Sequence, residues 1–322
     1  SSTSRGLGDV YKRQGIITTL CRSSVPLFVM LSGFLLLPMQ DKISTFFRKR
    51  FTRIVYPFIA WCVLYAGYYV LSRGDSFSQM ALNILHIPVN FGCEIGHLWY
   101  IYMLIGLYLV TPIISPWLQQ ASKRELEGYL GLWIITTFLP YIHLVYPEVL
   151  GEAFWNDTPL LYYFTGFIGY FILGYYLKRF GYPSAALSWI ILIVGFALSA
   201  GIFCSRIDTV PTVPELELSW GFCTVNVFLM TLGLFSLIGR LSLKGKNAAC
   251  KLLSDISIKS YGMYLAHILF LNFYYGLFKS ISDAAYVTIP LIAVCTFITV
   301  YIFVYLLSLS LIHISEPTRR RG

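Results

Sequence analysis

Long apolar segments recur along the whole chain, and this recurrence constrains its fold more than any other feature. Only 12% of the 322 residues are charged and 57% are hydrophobic, whereas a soluble domain carries about 25% charged residues. A run of about 20 apolar residues can cross a bilayer as a helix. The sequence therefore predicts an all-α, polytopic membrane helical bundle. The predicted spanning segments are 16–38, 54–72, 98–117, 128–146, 160–177, 184–204, 219–239, 260–278 and 286–308.

The charged residues alternate in sign from one loop to the next. The net charge is +9, and the basic residues sit in short clusters between apolar segments. This is the pattern of cytoplasmic loops, so we exclude nucleic acid as a partner. We predict that 41–53 and 240–251 face the cytoplasm and that 148–158 faces the outside. The seven cysteines show no metal-ligand spacing, so we predict no metal site.

The two ends of the chain do not look native. Residues 4–14 match the translation of a transposon-based sequencing adapter, and residues 309–319 match its reverse complement. We therefore expect 1–14 and 309–322 to be non-native tails and 15–308 to be the natural membrane domain. With the predicted orientation, residue 15 lies outside, so a cytoplasmic N-terminus requires one more helix upstream. The nine segments then become ten in the intact protein.

Four sequence motifs follow one another along the natural segment. Together, in this order, they resemble the acyltransferase-3 family of membrane proteins, and within it the bacterial O-acetyltransferases of surface polysaccharides. The motifs are VPLFVMLSGFLL (25–36), FFRKRFTRIVYP (46–57), HLWY (97–100) and SYGMYLAH (260–267). The first places Ser32 and Gly33 in mid-helix, where small residues allow close helix packing.

The resemblance implies a function and a location. It implies ten helices in a bacterial inner membrane, acetyl-CoA or another acyl-CoA as donor on the cytoplasmic side, and hydroxyls of an outer or lipid-linked polysaccharide as acceptor. No tightly bound cofactor is implied. The family's Arg and His, ten residues apart on the first helix, should precede Gly15. We therefore expect residues 15–308 alone to be inactive, and we use "full-length protein" for the natural sequence that includes this helix.

Two histidines are candidate catalytic residues. His97 lies at the predicted outer end of its helix, where a neutral imidazole can take the proton of a sugar hydroxyl; alternatively it is an interfacial histidine bound to a loop carbonyl. His267 lies in the predicted cytoplasmic half of its helix, where an ionisable residue marks a functional site or is a neutral group bonded to a neighbouring helix. Trp99 is a candidate substrate contact because it belongs to the family motif.

The arginines suggest binding sites for charged or polar ligands. The resemblance favours Arg48, Arg50 and Arg53 as contacts to the phosphates of CoA, although the same charges also anchor a cytoplasmic helix end. Arg50 and Arg53 are three residues apart and should share a face of an α-helix. Arg22 either faces the acceptor or extends to lipid headgroups.

A transporter or flippase of lipid-linked sugars is the alternative function. Such proteins also have many spanning helices, and their sites often lie at broken helices in internal repeats. Pro112 and Pro116 interrupt one segment, but no corresponding pair of broken segments is found in the sequence. An Arg and a His ten residues apart in the upstream helix would favour the enzyme.

Overall fold

The computed structural model describes most of the chain. The described residues are 15–19, 21–146, 152–153, 156–159, 161, 163–207, 209–210, 212–241, 247–278 and 285–315, and their side chains are described except at 152–159, 213–214, 285–286 and 311–315. The predicted tail 1–14 and most of the predicted outer loop 148–158 lie outside this description.

The described chain is helical apart from one short hairpin. The α-helices are α1 (Ser24–Leu36), α2 (Ile43–Arg50), α3 (Tyr56–Arg73), α4 (Phe77–Leu85), α5 (Phe91–Ile95), α6 (Trp99–Gln120), α7 (Lys123–Thr136), α8 (Leu139–Val145), α9 (Phe167–Phe180), α10 (Ala185–Arg206), α11 (Val213–Leu216), α12 (Val225–Gly239), α13 (Ala248–Phe278) and α14 (Ala285–Ser315). A π-helix, Phe51–Val55, lies between α2 and α3, and a 3₁₀-helix, Glu217–Trp220, follows α11. The strands β1 (Glu152–Ala153) and β2 (Asn156–Pro159) pair antiparallel. The predicted all-α membrane fold is confirmed.

Seven helices of the described chain are long and apolar enough to cross a membrane: Gly15–Leu36, Ile43–Arg73, Trp99–Gln120, Lys123–Val145, Ala185–Arg206, Glu217–Gly239 and Val287–Ser310. The predicted count of nine is not confirmed. The predicted segment 160–177 corresponds to α9, whose 14 residues extend only about 21 Å. The predicted segment 260–278 lies in α13, which is long enough with 31 residues but is made more polar by its tyrosines and His267.

The chain divides into two compact units. Unit 1 comprises Ser1–Phe47 and Met103–Ser242, and unit 2 comprises Arg48–Tyr102 and Leu243–Gly322. In unit 1, α1 and α9 pack so closely that a Cβ on Gly33 would lie 1.8 Å from the carbonyl oxygen of Phe171. A Cβ on Gly174 would lie 2.0 Å from the carbonyl oxygen of Met30. The close packing predicted for the Ser-Gly pair is thus confirmed at Gly33, where only a residue without a side chain fits, whereas the Ser32 hydroxyl donates to the Phe28 carbonyl of its own helix.

Unit 2 is organised around α13. Its buried residues Met263 and Ala266 pack with Val300 of α14. From α3, the Tyr65 hydroxyl donates a hydrogen bond of 2.9 Å to the Leu265 carbonyl. Helix α13 therefore contacts helices that are far apart in the sequence, and it positions the site described next.

Candidate functional site

The two candidate histidines are in contact within unit 2. The ring centroids of His97 and His267 are 4.5 Å apart, with the ring planes at 77°. Sequence reasoning placed His97 at the outer end of one helix and His267 in the cytoplasmic half of another, and this difference in depth is wrong. Helix α13 begins at Ala248 rather than near residue 260, so His267 lies much farther along it than the predicted segment implied.

Local backbone geometry directs His97 toward this contact. The preceding Gly96 has φ of 103°, a conformation that residues with a side chain rarely adopt. The chain turns there, and α6 begins at Trp99. Tyr102 lies in the first turn of α6. Its hydroxyl accepts a 3.0 Å hydrogen bond from the Gly92 amide and donates to the Ile87 carbonyl. The loop that carries His97 is therefore fixed from both sides.

The imidazole of His97 is enclosed by aromatic rings. Its ring centroid is 5.9 Å from that of Tyr65 and 5.4 Å from that of Tyr264. Both ring nitrogens are buried, and neither has a hydrogen-bond partner among the described residues. A buried polar group without a partner is rare in folded proteins and calls for an explanation. A ligand that supplies the missing partner, such as a hydroxyl group, is one.

The surroundings of His97 keep it neutral. Burial lowers the pKa of His97 to about 3, and the imidazole of His267 acts in the same direction. The backbone of Leu265 and of Tyr264 near the ring favours the protonated form of His97 and raises its pKa, but less than burial lowers it. At neutral pH one ring nitrogen of His97 therefore carries a lone pair that is able to accept a proton.

The hydrogen bond of His267 determines which of its nitrogens carries the proton. Its Nδ1 lies 2.6 Å from the carbonyl oxygen of Tyr264. A carbonyl oxygen only accepts, so Nδ1 is the protonated nitrogen and the Nε2 of the neutral ring carries the lone pair. The alternative that sequence reasoning left open, a histidine bonded to a neighbouring helix, differs from this bond, which lies within α13.

The candidate arginines lie at the start of unit 2, Arg48 and Arg50 at the end of α2 and Arg53 inside the π-helix. Because a π-helix takes more residues per turn than an α-helix, two side chains three residues apart no longer lie on one face. The prediction that Arg50 and Arg53 share a face is therefore wrong. Arg50 is partly buried, with its Nε fully covered, whereas Arg48 and Arg53 are exposed.

Two tyrosines that sequence reasoning quoted but did not single out connect these groups. The Tyr261 hydroxyl donates a 2.7 Å hydrogen bond to the Ile54 carbonyl in the π-helix. The Tyr264 hydroxyl donates to the carbonyl of His97. A signal for them was present in the sequence, since Tyr261, Tyr264 and His267 recur every three residues and so follow one side of a helix.

The remaining candidates lie elsewhere. Trp99 is half-buried at the start of α6, with its ring 6.4 Å from that of Tyr100. Arg22 belongs to unit 1, where its guanidinium lies 4.5 Å from the ring centroid of Trp220. Within the described residues no group of three or more His, Cys, Asp or Glu side chains is placed to hold a metal ion.

Comparison with known proteins gives one match. A family model described as an acyltransferase domain matches residues 3–309 of the chain. No curated protein and no solved structure matches the chain. The assignment of 1–14 and 309–322 as non-native tails stays a prediction.

Proposed function

Since the chain belongs to the acyltransferase-3 family and is a multi-pass membrane protein, we propose that it is an O-acyltransferase that uses His97 as a general base. The donor is acetyl-CoA or another acyl-CoA, and the acceptor is a hydroxyl of a polysaccharide or lipid-linked glycan outside a bacterial inner membrane. The observation that supports this proposal most is the buried imidazole of His97, whose nitrogens have no partner among the described residues.

The reaction follows from the properties of His97. Its lone-pair nitrogen removes the proton of the acceptor hydroxyl while the hydroxyl oxygen attacks the thioester carbonyl of the donor. A C–O bond forms and the C–S bond breaks, and the proton held by His97 passes to the departing thiolate of CoA. His267 lies beside His97, with its own proton held on Nδ1 by the Tyr264 carbonyl.

The donor phosphates are assigned to the arginines that precede α3. A guanidinium binds a phosphate through two parallel hydrogen bonds, which a lysine cannot do. Arg50 is the principal candidate because its side chain is partly buried and therefore restricted, whereas Arg48 and Arg53 project into the surroundings. Trp99 and Arg22 remain candidate contacts to the acceptor.

The test is His97→Gln in the full-length protein, with His86→Gln as the matched control. Glutamine keeps a polar side chain but removes the base, so acetylation of the surface polysaccharide, measured by mass spectrometry in cells, should fall by about 100-fold or more. His86 is an exposed histidine at the end of α4, and its variant should retain parental activity. Parental acetylation in His97→Gln at equal protein level would remove His97 from the chemistry.

A further inference from the structure

Two tyrosines of α13, one helical turn apart, bind two different segments of unit 2: the segment that carries the arginines and the segment that carries His97. Tyr261 donates to the backbone of Ile54, directly after Arg53, and Tyr264 donates to the backbone of His97. Their rings lie 6.4 Å apart with planes at 21°. Three residues of an α-helix span only about 4.5 Å. The segment with the donor arginines and the segment with the base are thus fastened to neighbouring positions of one helix.

Tyr264 contacts both histidines through different groups. Its hydroxyl holds the backbone of His97, its backbone carbonyl accepts from Nδ1 of His267, and its ring packs against both imidazoles, at 5.4 Å and 5.9 Å. The position of each imidazole relative to the other therefore depends on this residue. Loss of the hydroxyl leaves the carbonyl and the ring in place and releases only the His97 segment.

Tyr261 contacts the segment that carries the arginines. Its hydroxyl reaches the Ile54 carbonyl, which belongs to the π-helix Phe51–Val55. A π-turn is less regular than an α-helix and is held by its surroundings. The hydrogen bond from Tyr261 is one such restraint, and it acts one residue from Arg53 and four from Arg50.

We propose that Tyr261 and Tyr264 are positioning residues with separate tasks, Tyr261 for the acyl-CoA-binding arginines and Tyr264 for the base His97. The inference rests on the proposed acyltransferase function. It adds that two hydroxyl groups one helical turn apart affect different steps. The Tyr261 hydroxyl affects binding of the donor, and the Tyr264 hydroxyl affects the chemical step.

Three single Tyr→Phe variants of the full-length protein test this division, each removing one hydroxyl from α13. The matched control is Tyr274→Phe, because the Tyr274 hydroxyl shares a 2.7 Å hydrogen bond with Thr299 of α14, away from the arginines and histidines. Membrane vesicles carrying each protein are given radiolabelled acetyl-CoA, with the glycan of the same membranes as acceptor. Binding of CoA alone is measured on purified protein, and thermal unfolding reports the fold.

The expected results differ between the variants. Tyr264→Phe should lower kcat by about tenfold or more, since a small displacement of a catalytic group has effects of this size, and should leave the KM for acetyl-CoA within about twofold of the parent. Tyr261→Phe should raise that KM and weaken CoA binding by about threefold to tenfold, the scale of one neutral hydrogen bond, with kcat nearly unchanged. Tyr274→Phe should match the parent in both.

The opposite outcomes would refute the division of labour. If Tyr261→Phe and Tyr264→Phe change kcat and KM in the same ratio, or if Tyr274→Phe has the same effect, the hydroxyls only stabilise the fold. If Tyr264→Phe yields little folded protein, 3-fluorotyrosine at position 264 keeps the hydroxyl donor, and kcat should then match the parent; a reduced kcat would contradict the positioning role. Failure of the acyltransferase proposal looks different, because the parent itself would then transfer no acetyl group.

Discussion

Unit 1 and unit 2 are both built from apolar helices, but their helices are joined by different groups. In unit 1 glycines pack directly against backbone, as at Gly33 and Gly174, and again between α10 and α12, where a Cβ on Gly195 or on Gly233 would lie 2.6 Å from backbone atoms of the partner helix. Tyrosine hydrogen bonds also occur there, for example from Tyr175 to the Leu118 carbonyl, so the difference from unit 2 lies in the direct contact of glycine with backbone.

In unit 2 tyrosine hydroxyls connect the elements, and no described glycine would place a Cβ against backbone. Gly262 of α13 would meet the Val304 side chain, and Gly67 of α3 and Gly276 of α13 face open space. The tyrosines concerned are Tyr65, Tyr261, Tyr264 and Tyr274. Backbone-to-backbone packing excludes a ligand. A tyrosine separates the helices by the length of its side chain and still fixes their position. A reactive histidine can therefore be buried in unit 2 without being packed out of reach of a substrate.

The largest effect is expected when the glycine contact of unit 1 is removed by the double variant Gly33→Ala with Gly174→Ala. Both added methyl groups meet a backbone oxygen that cannot move aside. An overpacked site costs about 1–3 kcal/mol, so the pair should lower the free energy of unfolding by about 2–6 kcal/mol. Thermal unfolding of the purified protein in detergent measures this loss.

The control for this variant lies in unit 2. Gly67→Ala adds the same methyl group in mid-helix where no atom lies within 4 Å, and alanine is the better helix former by about 1 kcal/mol. Its unfolding temperature should be equal to the parent's or higher. Equal losses in the control and the double variant would mean that the two units do not differ in the way described.

The next largest effect is expected for Gly96→Ala, which tests whether backbone geometry in unit 2 sets the position of His97. A residue with a side chain at this φ is strained by about 1–3 kcal/mol. The chain can relieve the strain by moving the adjacent His97, so acetyl transfer should fall by about tenfold or more. The assay compares Gly96→Ala with Gly67→Ala in membrane vesicles. Parental activity would show that His97 is held from α13 alone.

A smaller effect separates the arginines from simple charge anchors. Arg50→Lys keeps the charge and removes the planar guanidinium, so the KM for acetyl-CoA should rise by about threefold to tenfold. The exposed Arg48, changed to lysine in the same way, should leave the KM within about twofold, and Arg53→Lys should fall between the two. Protein inserted in the membrane is quantified for each variant. Equal donor kinetics in all three would assign these arginines to topology only.

The smallest effect is expected from pH, because His97 should stay neutral over the range in which a histidine normally titrates. With a pKa of 6.5, activity would fall about tenfold between pH 7.5 and pH 5.5. Since burial and the imidazole of His267 lower the pKa of His97 to about 3, kcat should change by less than about twofold over that interval. The other titratable groups that face this ring, Tyr65 and Tyr264, carry no charge there.

The same shift also affects stability. The unfolded chain takes up a proton at His97 near pH 6.5, whereas the folded protein does so only near pH 3. Stability should therefore be complete above about pH 6.5 and should decrease as the pH falls below it. His97→Gln removes this contribution, so its unfolding temperature should depend less on pH than that of the parent. An identical pH dependence in both proteins would argue against a buried neutral imidazole.

The sequence was sufficient to predict the apolar helical fold, but not the contact between the two candidate histidines. The contact was not predicted because the start of α13 was placed too late in the sequence. Lys251, Asp255 and Lys259 made the region before residue 260 read as a loop, whereas in the structure Asp255 pairs with Lys259 and accepts a 2.6 Å hydrogen bond from Tyr301. With Asp255 and Lys259 paired, the helix begins at Ala248, and His267 lies along it at the level of His97.

The shared face of Arg50 and Arg53 could not be judged from the sequence for a different reason. Residues 51–55 contain no glycine or proline that would interrupt an α-helical pattern, so the π-helix is not visible in the composition. It arises from contacts made with the rest of unit 2, among them the hydrogen bond from Tyr261 to Ile54. Local propensity predicted the helix but not the number of residues in its turns.

The π-helix Phe51–Val55 has a consequence for how this gene can vary. A π-turn accommodates one more residue than an α-turn does, so deletion of a single codon within it would allow a continuous α-helix from Ile43 to Arg73. The residues on either side would keep nearly the same rotation relative to each other, because the π-turn and the α-turn that replaces it each make one full turn. A deletion elsewhere in the helix would instead rotate the two sides by about 100°, and Arg50 and Tyr65 could no longer both reach their present neighbours. The π-helix is therefore the place in this helix where the loss of one residue is expected to be tolerated best.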